Sequence, residues 1–166
     1  MKKIYTLLII LPLIALIIAF TGGPDAGYAG SPLDGQNCTA CHPGTATLVN
    51  GWIEINVGLD GYVPGDTYLI NAVCTDVVSE KMGFQIPSET ASAKTGTGTI
   101  TNTTRTQLKG STAVTHTAAG TTPVGTPNTW SMEWTAPPEG TGEVAFYLAV
   151  NKANADNTNQ GDEIYV

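Results

Sequence analysis

The sequence predicts an all-β chain, an antiparallel β-sandwich of about seven or eight short strands with Greek-key connections and a loop segment ahead of it. Three observations carry that prediction. Apolar and polar residues alternate with period two in several short stretches, Gly- and Pro-containing turns separate those stretches, and no long segment repeats with a helical period of 3.6. Composition agrees, since charged residues are only 13% of the 166 and Thr, Ser, Asn and Gly are abundant, as in extracellular β-domains.

The elements follow in order. Residues 51–58 alternate, with Ile53, Ile55 and Val57 on one face of a half-buried strand, and Pro64-Gly65 suits a type II turn. Residues 67–76 place Tyr68, Ile70, Ala72 and Cys74 on one face and Leu69, Val73 and Thr75 on the other. Both faces are fairly apolar, which predicts a central strand. Cys74 is expected to be buried and unpaired there. Residues 82–86 form a short strand that Pro87 stops. The stretch 88–129 is dominated by Thr, Gly, Ala and Ser and supports two weak strands, 98–109 and 113–117. Trp130, Met132 and Trp134 then alternate with Ser131, Glu133 and Thr135, so both Trp belong to the core. Residues 143–151 make a strand with Val144, Phe146, Leu148 and Val150 on one face, residues 152–161 a polar loop, and residues 162–166 a closing strand.

One domain fits this length, preceded by a leader. Lys2 and Lys3 precede an apolar run over residues 4–20, and small residues follow, which is the layout of a secretory signal peptide. Cleavage is expected after Gly27-Tyr28-Ala29, giving residues 1–29 as leader, 30–47 as loop segment and 48–166 as sandwich. The run is close to the roughly 20 residues that span a bilayer, so retention as an anchor is the alternative. The net charge is −7. Nucleic acid and anionic lipid surfaces are therefore poor partners, and a retained leader would be the one route to a membrane. No paired-carboxylate, Ser-His-Asp or phosphate-loop pattern points to an enzyme.

Cys38-Thr39-Ala40-Cys41-His42 is where reactive side chains stand at a spacing that chemistry requires. Two thiols three positions apart can each form a thioether to one haem vinyl group, and the next His then reaches the iron. One covalent haem c, held by Cys38 and Cys41 with His42 as proximal ligand, is the expectation. A redox disulfide should open a helix in a βαβ setting, and a zinc site completed by Cys74 and a His lacks a second closely spaced ligand pair. For the sixth iron position His116 is the remaining imidazole. It sits in a polar stretch without evident core duty, and Met82 and Met132 are its rivals. Two imidazoles would give a lower potential than a His and Met pair.

Residues Gly61-Tyr62-Val63-Pro64-Gly65-Asp66-Thr67-Tyr68, Met82-Gly83-Phe84-Gln85, His116-Thr117-Ala118-Ala119-Gly120 and the stretch 130–166 also resemble reeler-like, choice-of-anchor V type bacterial surface domains. Many of these carry a Cys-x-x-Cys-His segment ahead of the sandwich. The resemblance implies an immunoglobulin-like sandwich at the cell envelope or outside the cell, and no established activity. The commonest members continue into a sorting or anchoring tail, which is not visible after Val166. Two functions compete on this basis. The first is an exported monohaem electron carrier, periplasmic or at the cell surface, handing electrons to redox partner proteins or to other haem subunits, with stacking of copies into a homo-oligomer or filament as an extension. The second is an extracellular adhesion or matrix-binding module in which Cys38 and Cys41 form a disulfide.

Overall fold

The structure, a computed structural model, describes residues 22–75, 79–95 and 104–166. The expected leader run at 4–20 and the first part of the expected strand at 98–109 lie outside the described residues. Among the described residues ten strands are formed: β1 (Ala46–Thr47), β2 (Ile53–Ile55), β3 (Thr67–Cys74), β4 (Lys81–Glu89), β5 (Thr106–Lys109), β6 (Ala113–His116), β7 (Asn128–Thr135), β8 (Ala145–Phe146), β9 (Ala149–Ala153) and β10 (Glu163–Tyr165). They make two sheets. The larger has the order β1-β10-β9-β4-β6-β5, with β8 also paired to β4, and the smaller has the order β2-β3-β7.

The alternation that predicted the strands also sets the core. On the small sheet Ile70 pairs with Met132 and Ala72 with Trp130, so the apolar faces of β3 and β7 are one surface. Met82, Phe84 and Ile86 of β4, Val114 of β6 and Leu148 and Val150 meet it from the large sheet. Phe84 stacks on Trp130 with ring centroids 4.5 Å apart. β3 is the central strand of its sheet, as its two apolar faces imply, and Cys74 is fully buried with a free thiol. Burial pushes that thiol up to about 12, so it stays protonated and packs as a small hydrophobe.

Pro87 does not end its strand, which corrects the expectation. β4 runs on to Glu89, and it is the partner that breaks. The register from Lys81↔Ala153 to Gln85↔Ala149 continues as Ser88↔Phe146 and Glu89↔Ala145, which sets Pro87 opposite Tyr147. Tyr147 N–H still donates to the Pro87 carbonyl at 3.3 Å. What is missing is the return bond that Pro, with no N–H, cannot make, and the single strand expected over 143–151 splits there into β8 and β9. On its other side Pro87 pairs with Ala113 of β6, where no N–H is called for because its carbonyl points toward Tyr147.

The outer face of the large sheet carries Gly83 and Gln85 of β4 and Asn151 of β9, which stand opposite the core-facing Met82, Phe84 and Val150 along their strands. This face is not left to solvent. Residues 22–42 run across it and hold the Cys-x-x-Cys-His segment against it.

A candidate cofactor-attachment site on the outer sheet face

The segment ahead of the cysteines is anchored by buried polar groups. Ala29 and Asn37 form a bridge, closing a loop in which Gly30 N–H donates to the Gln36 carbonyl at 2.9 Å. Inside that loop the Asp34 carboxylate accepts from Ala29 N–H at 2.8 Å and pairs with Lys94. Glu89, at the end of β4, accepts from Ser31 Oγ at 2.5 Å. Burial lowers the Lys94 ammonium from its ordinary value, but two carboxylates flank it. The loop is thus clamped to β4 by an ion cluster whose members come from both parts of the chain.

Cys38 opens a 3-10 turn, Cys38–Ala40, whose N-cap is Asn37; its Oδ1 accepts from Thr39 N–H at 2.8 Å. Both Cys41 and His42 N–H donate to the Cys38 carbonyl, at 3.2 and 3.0 Å. The turn therefore brings the two thiols and the imidazole together in one short coil. Cys38 Sγ lies 3.7 Å from the Tyr28 carbonyl, and burial pushes its thiol up to about 12. Cys41 is exposed, and both thiols are free.

His42 is held by the far end of the sequence. Its Nδ1 is 2.6 Å from Asp162 Oδ2, and the two side chains are 31% and 1% exposed. A carboxylate oxygen can only accept here, so Nδ1 carries the proton and Nε2 is left as the ring's acceptor. Asn151 Nδ2 stands 3.1 Å from Nδ1 and 3.2 Å from Nε2, and with Nδ1 protonated Nε2 is the ring nitrogen that can accept from this amide. Asn151 also donates to Asp162 at 3.3 Å, while Asp162 Oδ1 accepts Asn154 N–H at 3.0 Å. Asn159, in the loop between β9 and β10, donates to the Cys41 carbonyl at 2.5 Å. That loop grips the turn at Cys41 and at His42. Reading the sequence missed Asp162, Asn151 and Asn159 as site residues, because nothing local marks a pairing across about 120 positions.

His116 has a different setting from the one its neighbours in sequence suggest. It ends β6, is 7% exposed, and its Nδ1 accepts the Phe84 N–H at 3.0 Å, taking the place of a ladder carbonyl. Its ring occupies the space where a side chain at position 83 would stand: a Cβ added to Gly83 would come 2.6 Å from the imidazole Cε1. With Nδ1 accepting, the ring proton belongs on Nε2, the nitrogen a metal ligand would need bare. Met82 and Met132 are both in the core, 1% exposed. Cys74 lies between the sheets while the Cys38 turn lies outside the large sheet, so the zinc set that Cys74 would complete is not assembled.

Burial also lowers the His116 imidazole to about 4, with Lys109 adding to the effect and the Phe84 carbonyl, 3.3 Å from Nδ1, opposing it. The unfolded chain takes up this proton first as the pH falls below its ordinary value of about 6.5. Stability due to neutral His116 is therefore full above that pH and is lost on acidification toward pH 4, by about 3 kcal/mol in all. Urea unfolding across this range checks it. His116→Gln, which keeps an acceptor for the Phe84 N–H, is expected to flatten the slope.

No family model and no curated protein matches the chain. Among solved structures it is similar to the human F-spondin reeler domain in two fragments, and to the Reelin-N domain of F-spondin. Identities are 21%, 22% and 24%, with TM-scores of 0.46, 0.45 and 0.47. The matches cover 72%, 63% and 72% of this chain and 85%, 80% and 82% of those chains. Among the described residues no helix is long and apolar enough to cross a membrane.

Proposed function

We propose that this chain is an exported monohaem c-type electron carrier, with Cys38 and Cys41 as the two thioether residues and His42 as the proximal ligand. The observation that carries this reading is the 2.6 Å contact between His42 Nδ1 and the buried Asp162 carboxylate. A ligating His characteristically donates its second ring N–H to such a partner, which fixes the tautomer and the ring orientation. Here Nδ1 is pinned by the buried carboxylate, and Nε2, with Asn151 Nδ2 3.2 Å away, belongs to a partly exposed ring. A bound haem would supply an iron that takes up and releases one electron. The chain's own residues do the rest: the 3-10 turn sets the spacing of the thiols, the β9–β10 loop holds the turn, and the outer sheet face is its floor. His116 is not given the distal place in this reading, because its Nδ1 is committed to the Phe84 N–H. Electrons would pass to redox partner proteins or to the haem of another copy, in the periplasm or at the cell surface.

A second reading, an extracellular adhesion or matrix-binding module, is supported by the two-sheet β architecture and by Leu69, 47% exposed on β3 of the small sheet. In that reading Cys38 and Cys41 form a disulfide. Expression with a working cytochrome c maturation system separates the two. The carrier reading predicts a Soret band that survives acid-acetone extraction and an intact mass raised by one haem. Cys38→Ser and Cys41→Ser each lower the yield of attached haem, and the double variant abolishes it. An iron-free product that has lost two hydrogens at Cys38 and Cys41 overturns the carrier reading.

A further inference from the structure

The segment just ahead of the cysteine loop is built into the fold more firmly than a leader remnant needs to be. Gln85 lies on the outer face of β4 and is 0% exposed. Its amide is occupied by that segment alone among the contacts described: Oε1 accepts Gly27 N–H at 2.9 Å and Tyr28 N–H at 2.6 Å, and Nε2 donates to the Asp25 carbonyl at 2.8 Å. Upstream, Gln107 of β5 donates to the Gly22 carbonyl. Gly23 lies so close to β6 that a Cβ there would come 2.5 Å from Thr115 and 2.8 Å from the His116 carbonyl, and its φ of +77 favours glycine. Downstream, Ala29 is buried, bridged to Asn37 and bonded to Asp34. Residues 22–29 thus cross β5, β6 and β4 as a strap. Its last turn supplies the Tyr28 carbonyl that meets Cys38 Sγ.

Cleavage after Ala29 would strip Gln85 of these three hydrogen bonds and open the outer face of the large sheet. A buried amide that loses its partners is costly, and a sheet face that loses its cover exposes whatever it had packed. We propose that the leader ends before Gly22 and that the strap stays in the mature protein, where it closes this face and supports the turn that bears the two thiols. The idea takes the export reading as given and is independent of whether haem is attached.

The full chain, produced in a secreting host and isolated from the envelope, is read by intact mass and N-terminal sequencing. A first residue at or before Gly22, including an intact leader, supports the strap, and a first residue of Gly30 overturns it. Amide exchange on the same protein is the arm that does not depend on export. Gly27 and Tyr28 N–H should exchange far more slowly than an exposed loop, since both donate to a buried side chain. Loop-like exchange at both positions overturns the strap even when the leader has been removed as expected. Finally, an exchangeable leader fused directly to Gly22 or to Gly30 gives two mature forms. The longer is expected to melt several degrees higher, and equal melting counts against the proposal. Should the shorter form fail to accumulate, the mass and exchange results stand by themselves.

Discussion

Trp130→Ala is expected to lower the free energy of unfolding by about 3–5 kcal/mol, the range for deleting a fully buried large aromatic. Trp130 is 0% exposed, its ring stacks on Phe84 from the opposite sheet, and its indole N–H donates to the Gly120 carbonyl at 2.8 Å. The Arg105 guanidinium lies over the ring, 5.7 Å from its centroid. The substitution removes the Phe84 stack between the sheets and strands the buried Gly120 carbonyl. Chemical denaturation followed by circular dichroism measures the loss, and an unchanged midpoint would place this ring on the surface. A gentler pair of variants tests the polar part alone. Trp130→Phe loses the Gly120 bond, whereas the buried Trp134 indole nitrogen has no partner among the described residues, so Trp134→Phe should cost less.

Both Trp could be placed in the core from sequence because period-two alternation over 130–134 is a local signal with one face carrying all the large apolar side chains. The same holds for the even-numbered face of β3. Where the reading failed, the deciding partner was far away in the chain. Pro87 looks like a stop when taken by itself; the ladder tolerates it because Tyr147 supplies the one bond the carbonyl can still accept. His116 sits among Thr and Ala with no local sign of a structural role, but the absent side chain of Gly83 makes room for its ring and the Phe84 N–H takes its lone pair. At the site, the cysteine spacing and the adjacent His are legible because Cys38, Cys41 and His42 lie within five consecutive residues. The carboxylate that orients the His is not, since Asp162 stands in a loop of Asn, Thr and Gln with no feature to set it apart from a solvated turn.

Asp162→Asn, in the haem-loaded protein that the carrier reading predicts, is expected to raise the reduction potential, and Asp162→Ala to cut the yield of attached haem by roughly tenfold or more. The carboxylate is 1% exposed and bonded at once to His42, Asn151 and Asn154 N–H. Its negative charge, held close to the imidazole and shielded from water, makes the ring a stronger donor and favours the oxidised iron. Asn keeps the shape and removes the charge, so the potential moves up. Ala removes the hydrogen bond as well, and His42 is then free to turn away while the β9–β10 loop loses its hold on the turn. Glu163→Gln is the control, because the neighbouring Glu163 side chain is 55% exposed and paired with Lys152, so water screens its charge. Spectroelectrochemical titration of the three variants separates a positioning role from a merely structural one. A structural role would lower stability and leave the potential alone. An Asp162→Asn protein with the wild-type potential and the wild-type spectrum would mean that this carboxylate does not act on the iron through His42.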